Sequence, residues 1–297
     1  MALLRGVFIV AAKRTPFGAY GGLLKDFSAT DLTEFAARAA LSAGKVPPET
    51  IDSVIVGNVM QSSSDAAYLA RHVGLRVGVP TETGALTLNR LCGSGFQSIV
   101  SGCQEICSKD AEVVLCGGTE SMSQSPYCVR NVRFGTKFGL DLKLEDTLWA
   151  GLTDQHVKLP MGMTAENLAA KYNISREDCD RYALQSQQRW KAANEAGYFN
   201  EEMAPIEVKT KKGKQTMQVN EAFAPQFLSV QKALDLDPSK TNVSGGAIAL
   251  GHPLGGSGSR ITAHLVHELR RRGGKYAVGS ACIGGGQGIA LIIQNTA

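Results

Sequence analysis

The chain has 297 residues, of which 43% are hydrophobic and 20% charged, so it can bury one large core or two ordinary ones. Its 31 Lys and Arg residues against 27 Asp and Glu leave a net charge of only +4, and the cations are dispersed along the chain. This charge pattern does not indicate nucleic acid as a partner. No stretch has the roughly 18 consecutive apolar residues of a membrane span, so we expect no membrane-spanning segment.

Cysteine usage and the N-terminal charges indicate a compartment. Seven cysteines occur without repeated Cys-x-x-Cys pairs or His/Cys ligand spacing, which favours a reducing compartment over a disulfide framework or a metal site. The N-terminal segment carries Arg5, Lys13, Arg14 and Lys25 before its first acid, a pattern similar to a mitochondrial targeting segment. Because residues 6–12 also predict a core strand, we expect a matrix protein that keeps this segment.

The first predicted elements alternate between strand and helix. Apolar and amphipathic patterns predict a buried strand at residues 7–10, a helix at 31–42 and a second strand at 53–56. Residues 84–118 then give a strand, a glycine-rich turn, a helix and the strand 113–116. This order is typical of an α/β fold with a largely parallel sheet covered on both faces.

The same order returns near the C-terminus. Residues 242–294 contain a glycine-rich turn, a helix at 259–270 and strands at 276–278 and 289–293. The chain is therefore predicted to be internally duplicated.

A polar stretch separates the two repeats. It contains a helix that begins at a capping box of Ser175 and Asp178 and ends near Gly197. Such an excursion suits a loop that covers a substrate. Its cluster of Lys209, Lys211, Lys212 and Lys214 is interpreted as a solvated charge run rather than a phosphate site. We therefore divide the chain into an N-terminal half, a loop region and a C-terminal half, at residues 1–120, 121–219 and 220–297.

Cys92 is the candidate nucleophile. It lies in residues 91–96, Leu-Cys-Gly-Ser-Gly-Phe, at a predicted junction between strand and helix. The positive end of the following helix favours a thiolate, and amides of the turn can bind a negatively charged oxygen. The other cysteines, apart from Cys282, fit buried small hydrophobes better.

His252 and Cys282 are the candidate proton carriers. His252 occupies the equivalent junction of the second repeat, before Pro253, where an imidazole can accept the proton of Cys92. Cys282 precedes three glycines, whose amides are a candidate oxyanion hole. Two cysteines at such turns suggest that one attacks carbon and the other moves protons. Asn220, in Asn-Glu-Ala-Phe-Ala, can hold a water or a carbonyl oxygen, although asparagine also starts turns.

Together these motifs resemble the thiolase family, in the branch that cleaves 3-ketoacyl-CoA during fatty-acid oxidation. The resemblance also covers residues 10–18, residues 117–123 and residues 163–167. It implies a duplicated αβαβα layered fold, CoA and acyl-CoA as substrates, no bound cofactor, and a homo-oligomer that is a dimer or tetramer.

The resemblance also assigns roles to residues. Cys92 attacks the 3-keto carbon, His252 keeps Cys92 reactive, and Cys282 handles the second proton. His252 and a water on Asn220 hold the thioester oxygen, while amides of Cys92 and Gly284 hold the oxyanion of the acyl-enzyme. No side chains are assigned to CoA, because the contacts are implied to lie in a stretch that this chain lacks.

That departure comes just before Asn220. The family has a long segment there, whereas here Val219 runs directly into Asn220. The second repeat is correspondingly short, so we expect a truncated second half. Three readings follow: a working thiolase, a catalytically impaired or inactive deletion form, and a ketoacyl synthase. The synthases generally have a second histidine or an asparagine where this chain has Cys282, which makes that reading the weakest.

Overall fold

The computed structural model of the chain describes residues 6–206, 208–210, 213–215 and 223–296. Its α-helices are α1 (Ala29–Gly44), α2 (Leu69–Val77), α3 (Ser94–Ser108), α4 (Thr147–Gly151), α5 (Met161–Tyr172), α6 (Arg176–Glu195), α7 (Ala224–Leu234), α8 (Ala247–Leu250) and α9 (Leu254–Arg272). Its strands are β1 (Ser53–Asn58), β2 (Gly84–Leu88), β3 (Val114–Thr119), β4 (Tyr127–Val129), β5 (Leu144–Asp146), β6 (Thr153–Asp154), β7 (Leu159–Pro160), β8 (Val208–Thr210), β9 (Gly213–Gln215), β10 (Tyr276–Ile283) and β11 (Gln287–Gln294).

The first half is built on a parallel sheet of three strands. β1 lies in the middle and pairs with β2 on one side and β3 on the other. Its run of Val54, Ile55 and Val56 is fully buried, as expected for a parallel strand covered on both faces. Helices α1 and α2 pack on one face, and α3 and α9 on the other. The predicted α/β class is confirmed.

Three glycines allow α3, α9 and β3 to come into backbone contact. A Cβ added at Gly95 of α3 would lie 2.6 Å from the amide nitrogen of Ser259 in α9. A Cβ at Gly258 would overlap the amide of Phe96, and one at Gly118 would overlap the carbonyl oxygen of Gly255. Side chains at these points would hold the helices apart. The glycines therefore set how the two halves dock.

In its described part, the second half has an antiparallel hairpin as its only β-structure. β10 pairs with β11 from Tyr276↔Gln294 to Ile283↔Gln287. The strands predicted at 276–278 and 289–293 are longer than expected, and Cys282 lies inside β10 rather than after it. Three apolar side chains on the hairpin, Tyr276, Val278 and Ile292, are 58 to 71% exposed. The hairpin thus presents an apolar surface that nothing in the described chain covers.

The prediction of a strand at residues 7–10 is wrong. Residues 7–10 have no regular secondary structure, and Phe8 and Val10 are more than 60% exposed. A cavity of about 340 Å³ lies between this segment and β3 and is lined by both. Pairing requires strands about 4.8 Å apart, and a segment separated from β3 by this cavity is too distant to form that ladder.

A buried ionic group fixes the end of that segment instead. Arg14 donates to the Glu202 carboxylate over 2.6 Å, and the same carboxylate lies 2.9 Å from Nδ1 of His264 on α9. Glu202 is completely buried. His267 of α9 also hydrogen-bonds the Ala12 carbonyl. The N-terminal segment is therefore anchored to the loop region and to α9.

Local predictions of helix ends hold. The capping box of Ser175 and Asp178 is formed at the start of α6, and Gly197, with a φ of +73°, follows its end. The side chains of the lysine cluster and Asn220 lie outside the described residues. In the described part of the chain, no helix is long and apolar enough to cross a membrane.

Candidate active site

Cys92 lies in a tight turn between β2 and α3. The preceding residue, Leu91, has a φ of +47°, which is a strained conformation for a residue with a side chain. The Ser94 hydroxyl donates to the Leu91 carbonyl over 2.6 Å, and the Asn89 side chain accepts the Leu91 amide over 2.9 Å. Neighbouring side chains thus hold the strained turn and present Cys92 just before the first turn of α3.

The surroundings of Cys92 keep it a thiol when the site is empty. Burial raises its pKa to about 11, and the nearby Cys282 adds to the rise. The amide of Gly284 and the amide of Cys92 itself donate toward the sulfur and act in the opposite direction. Two backbone donors therefore converge on the candidate nucleophile, but desolvation dominates.

His252 lies in the turn between α8 and α9. Gly251 has a φ of +122°, and the ring Nδ1 is 2.7 Å from the hydroxyl of Ser257 in the first turns of α9. Burial, assisted by the charge of Arg260, lowers the pKa of His252 to about 4. The imidazole is therefore neutral at pH 7 and oriented by Ser257.

Cys282 projects from β10 beside the Cys92 turn. Its thiol donates to the side-chain carbonyl of Gln226 in α7 over 3.1 Å, and desolvation raises its pKa. The next residue, Ile283, packs directly on Gly93, where a Cβ would overlap it. After it, Gly285 and Gly286 turn the hairpin with φ values of +74° and +72°, which only glycine adopts readily.

The structure brings Cys92, Cys282 and Gly284 together. Gly255, three residues after His252, contacts Gly95, three residues after Cys92, but no hydrogen bond joins the His252 ring to Cys92 among the described residues. The large cavity beside β3 is lined by His252 but not by Cys92 or Cys282. Asn220 belongs to the part of the chain that is not described.

Sequence reasoning missed three residues that act on these groups: Ser257 bonds His252 and Gln226 bonds Cys282, whereas the charge of Glu120 raises the pKa of Cys92. Glu120 is 7% exposed and directly follows β3. Desolvation raises the pKa of its carboxyl to about 7, although four N–H groups donate to it. An acidic residue at the end of a buried strand was the available signal, but the identity of its partners depends on the tertiary fold.

The fold and these glycine-rich turns define the class. The chain belongs to the thiolase family: the model of the thiolase N-terminal domain matches residues 7–236, and that of the thiolase C-terminal domain matches residues 206–295.

Individual relatives are close. The mitochondrial 3-ketoacyl-CoA thiolase of Mus musculus is 75% identical over 397 aligned positions, which cover all of both chains. A chain of 297 residues can match no more than about 75% of 397 positions, so the identity is close to the most that this length allows. It also means that 100 positions have no counterpart here. The crystal structure of human mitochondrial 3-ketoacyl-CoA thiolase is 63% identical with a TM-score of 0.96, and its complex with CoA is 62% identical with a TM-score of 0.95; each covers all of both chains.

Proposed function

We propose that this site carries out the acyl transfer of a 3-ketoacyl-CoA thiolase, in which CoA cleaves a 3-ketoacyl-CoA into acetyl-CoA and a shortened acyl-CoA. The observation that supports it best is that the amides of Gly284 and Cys92 bond to the Cys92 sulfur, while the Cys282 side chain lies near enough to raise the pKa of Cys92 electrostatically. Cys92 is the nucleophile, the two amides are donors to an oxyanion, and Cys282 is the second proton carrier.

In the first half of the reaction, the proton of Cys92 passes to His252 and the sulfur attacks the 3-keto carbon. The bond between C2 and C3 then breaks, and Cys282 supplies the proton that converts the departing enolate into acetyl-CoA. The raised pKa of Cys282 keeps this proton in place at pH 7, as a general acid requires.

In the second half, Cys282 as thiolate takes the proton of an incoming CoA thiol. The CoA sulfur attacks the acyl carbon on Cys92, and the amides of Cys92 and Gly284 hold the oxyanion. The bond to the Cys92 sulfur then breaks, the shortened acyl-CoA leaves, and the sulfur takes back the proton held by His252. A water on Asn220, together with His252, holds the thioester oxygen of the substrate. Every atom and proton is accounted for by CoA, substrate and these side chains, so the scheme needs no bound cofactor or metal.

The setting of the proposed reaction follows from the relatives. Their mitochondrial names support a mitochondrial protein of fatty-acid β-oxidation. Residence in the matrix with the N-terminal segment retained, and assembly into a dimer or tetramer, are further parts of the proposal. The division at residues 120 and 219 into two halves and a covering loop belongs to it as well.

Several observations favour an impaired form of this enzyme. The chain lacks 100 aligned positions of its relatives, β3 ends its sheet beside a cavity, and the hairpin exposes apolar side chains. Free strand edges and apolar surface of this kind destabilise a fold and promote association. In the free site Cys92 is a thiol and the His252 ring is neutral, so thiolate formation depends on what binds there. We therefore expect much lower stability and little or no thiolysis compared with a version in which the 100 positions are restored from the mouse relative.

Acyl-enzyme formation tests the proposed chemistry. After brief exposure to a 3-ketoacyl-CoA or an acyl-CoA, peptide mass spectrometry should find the acyl group on Cys92 in the restored version. A Cys92→Ser variant should remove the adduct, whereas Cys128→Ser should leave it. A stable adduct on Cys282 with Cys92 unmodified contradicts the assignment. Parallel thiolysis assays and melting curves separate a working chain from an impaired one, since near-equal values with and without the 100 positions would refute the impairment.

A further inference from the structure

Glu120 is a buried carboxylate that the proposed chemistry does not use. One of its oxygens accepts the Met60 amide over 2.8 Å and the Asn58 side-chain amide over 2.9 Å. The other accepts the Val59 amide over 3.2 Å and the Gly255 amide over 3.1 Å. The first three donors follow or end β1 in the first half, whereas Gly255 belongs to the first turn of α9 in the second half. A single side chain thus joins both halves.

The contact with Gly255 is close to His252 along the chain. Gly255 is three residues after the histidine, and its amide is one of those that a helix leaves unpaired in its first turn. Glu120 therefore caps α9 from a residue 135 positions away. The Leu254 amide bonds to the His252 carbonyl over 2.8 Å, so the turn from the histidine into the helix is short and moves with Gly255.

We infer that Glu120 is a positioning residue, which fixes the turn carrying His252 against the end of β1 and β3 and thereby sets where the imidazole lies relative to Cys92. This inference rests on the proposed role of His252. Gln has the same shape as Glu but must turn its amide group toward two N–H donors on one side, which removes two of the four bonds.

The ring of His252 is the appropriate readout. Its pKa is lowered by burial and by Arg260, and loss of a nearby negative charge can only lower it further, so a rise in this pKa reports displacement of the ring rather than the lost charge. A ring displaced toward water regains a pKa closer to 6.5. Alkylation of Cys92 alone is a weaker readout, because the charge of Glu120 itself raises the pKa of Cys92.

Glu202→Gln is the matched control. Glu202 is a second buried carboxylate that ties α9 to the first half, through His264 and Arg14, but it lies away from the turn that carries His252. The experiment uses the full chain and measures the His252 titration by NMR, the rate of acyl transfer to Cys92 and the melting temperature. Glu120→Asp keeps the charge and shortens the reach by one methylene, and it replaces Glu120→Gln if that variant does not fold.

We expect Glu120→Gln to raise the pKa of His252 by at least one unit and to slow acylation of Cys92 by tenfold or more. Glu202→Gln should lower the melting temperature as much or more and leave the titration unchanged. Equal shifts in both variants, or no shift in either Glu120 variant, would overturn the inference. Because the titration needs no acyl transfer, a shift without any Cys92 adduct would leave the positioning role intact, and absence of the adduct in the version with the 100 positions restored would reject the proposed function instead.

Discussion

Two adjacent glycines in β3 allow a sharp test of how the halves dock. A Cβ at Gly118 would overlap the Gly255 carbonyl oxygen and lie 2.9 Å from Cα of Gly95 and 3.0 Å from Oγ of Ser259. A Cβ at Gly117, which points to the other side of the sheet, meets nothing within 4 Å. Gly118→Ala and Gly117→Ala therefore add the same methyl group to the same strand in opposite environments.

The expected effects have opposite signs. Contacts of this kind normally settle at about 3.5 Å or more, so Gly118→Ala must push the start of α9 away by roughly 1 Å. Overpacking typically lowers stability by about 1 to 3 kcal/mol. Because the added methyl group meets backbone atoms of two helices, which cannot rotate away, we expect a loss at the upper end of this range or above it. Gly117→Ala should be neutral or stabilise by up to about 1 kcal/mol, because alanine reduces the entropy of the unfolded chain.

Urea unfolding and acylation of Cys92 measure both consequences. We expect the midpoint of Gly118→Ala to fall with little change in slope, and acylation to slow by about 100-fold because a shift of 1 Å at reacting groups has that effect. Gly117→Ala should keep or slightly raise the midpoint and leave acylation unchanged. Equal unfolding midpoints for the two variants would refute the docking argument.

Three further predictions concern charge and proton transfer. The folded pKa of His252, about 4, is below its unfolded value of about 6.5, so the buried neutral ring stabilises the fold above pH 6.5. About 3 kcal/mol of that stability is lost as the pH falls to 4. Urea unfolding across this range should show a smaller loss of stability in His252→Asn, and an unchanged loss contradicts the assignment. Glu202→Gln leaves Arg14 without its buried partner and should lower the free energy of unfolding by about 3 to 5 kcal/mol. Glu34→Gln, at an exposed pair with Arg38, should lower it by less than about 1 kcal/mol. Comparable unfolding midpoints for the two variants would show that burial does not set the difference. With the 100 positions restored, Cys282→Ala should slow carbon-carbon cleavage by about 10² to 10⁴ and affect acyl transfer from a simple acyl-CoA to Cys92 much less; stopped-flow measurements showing equal loss would reject the division of labour.

What could be predicted from the sequence was mainly local. The cap of α6 at Ser175 depends on residues three positions apart, and the Cys92 turn depends on glycine, asparagine and serine within six positions. The strand at residues 7–10 was wrong, because a strand forms only where a partner edge is within reach and the apolar pattern carries no information about that partner. Glu120 was missed for the same reason, since its partner at Gly255 is defined only by the docked halves.

The Arg14, Glu202 and His264 group has a consequence for how the protein is made. Arg14 and His264 are 250 residues apart along the chain, with Glu202 between them, so Arg14 cannot be anchored to α9 until most of the polypeptide has left the ribosome. At about 5 to 20 residues per second, that delay is about 12 to 50 s. During this time the apolar residues 7–12 have no native partner, and a chaperone that binds extended apolar segments meets them before the rest of the fold does.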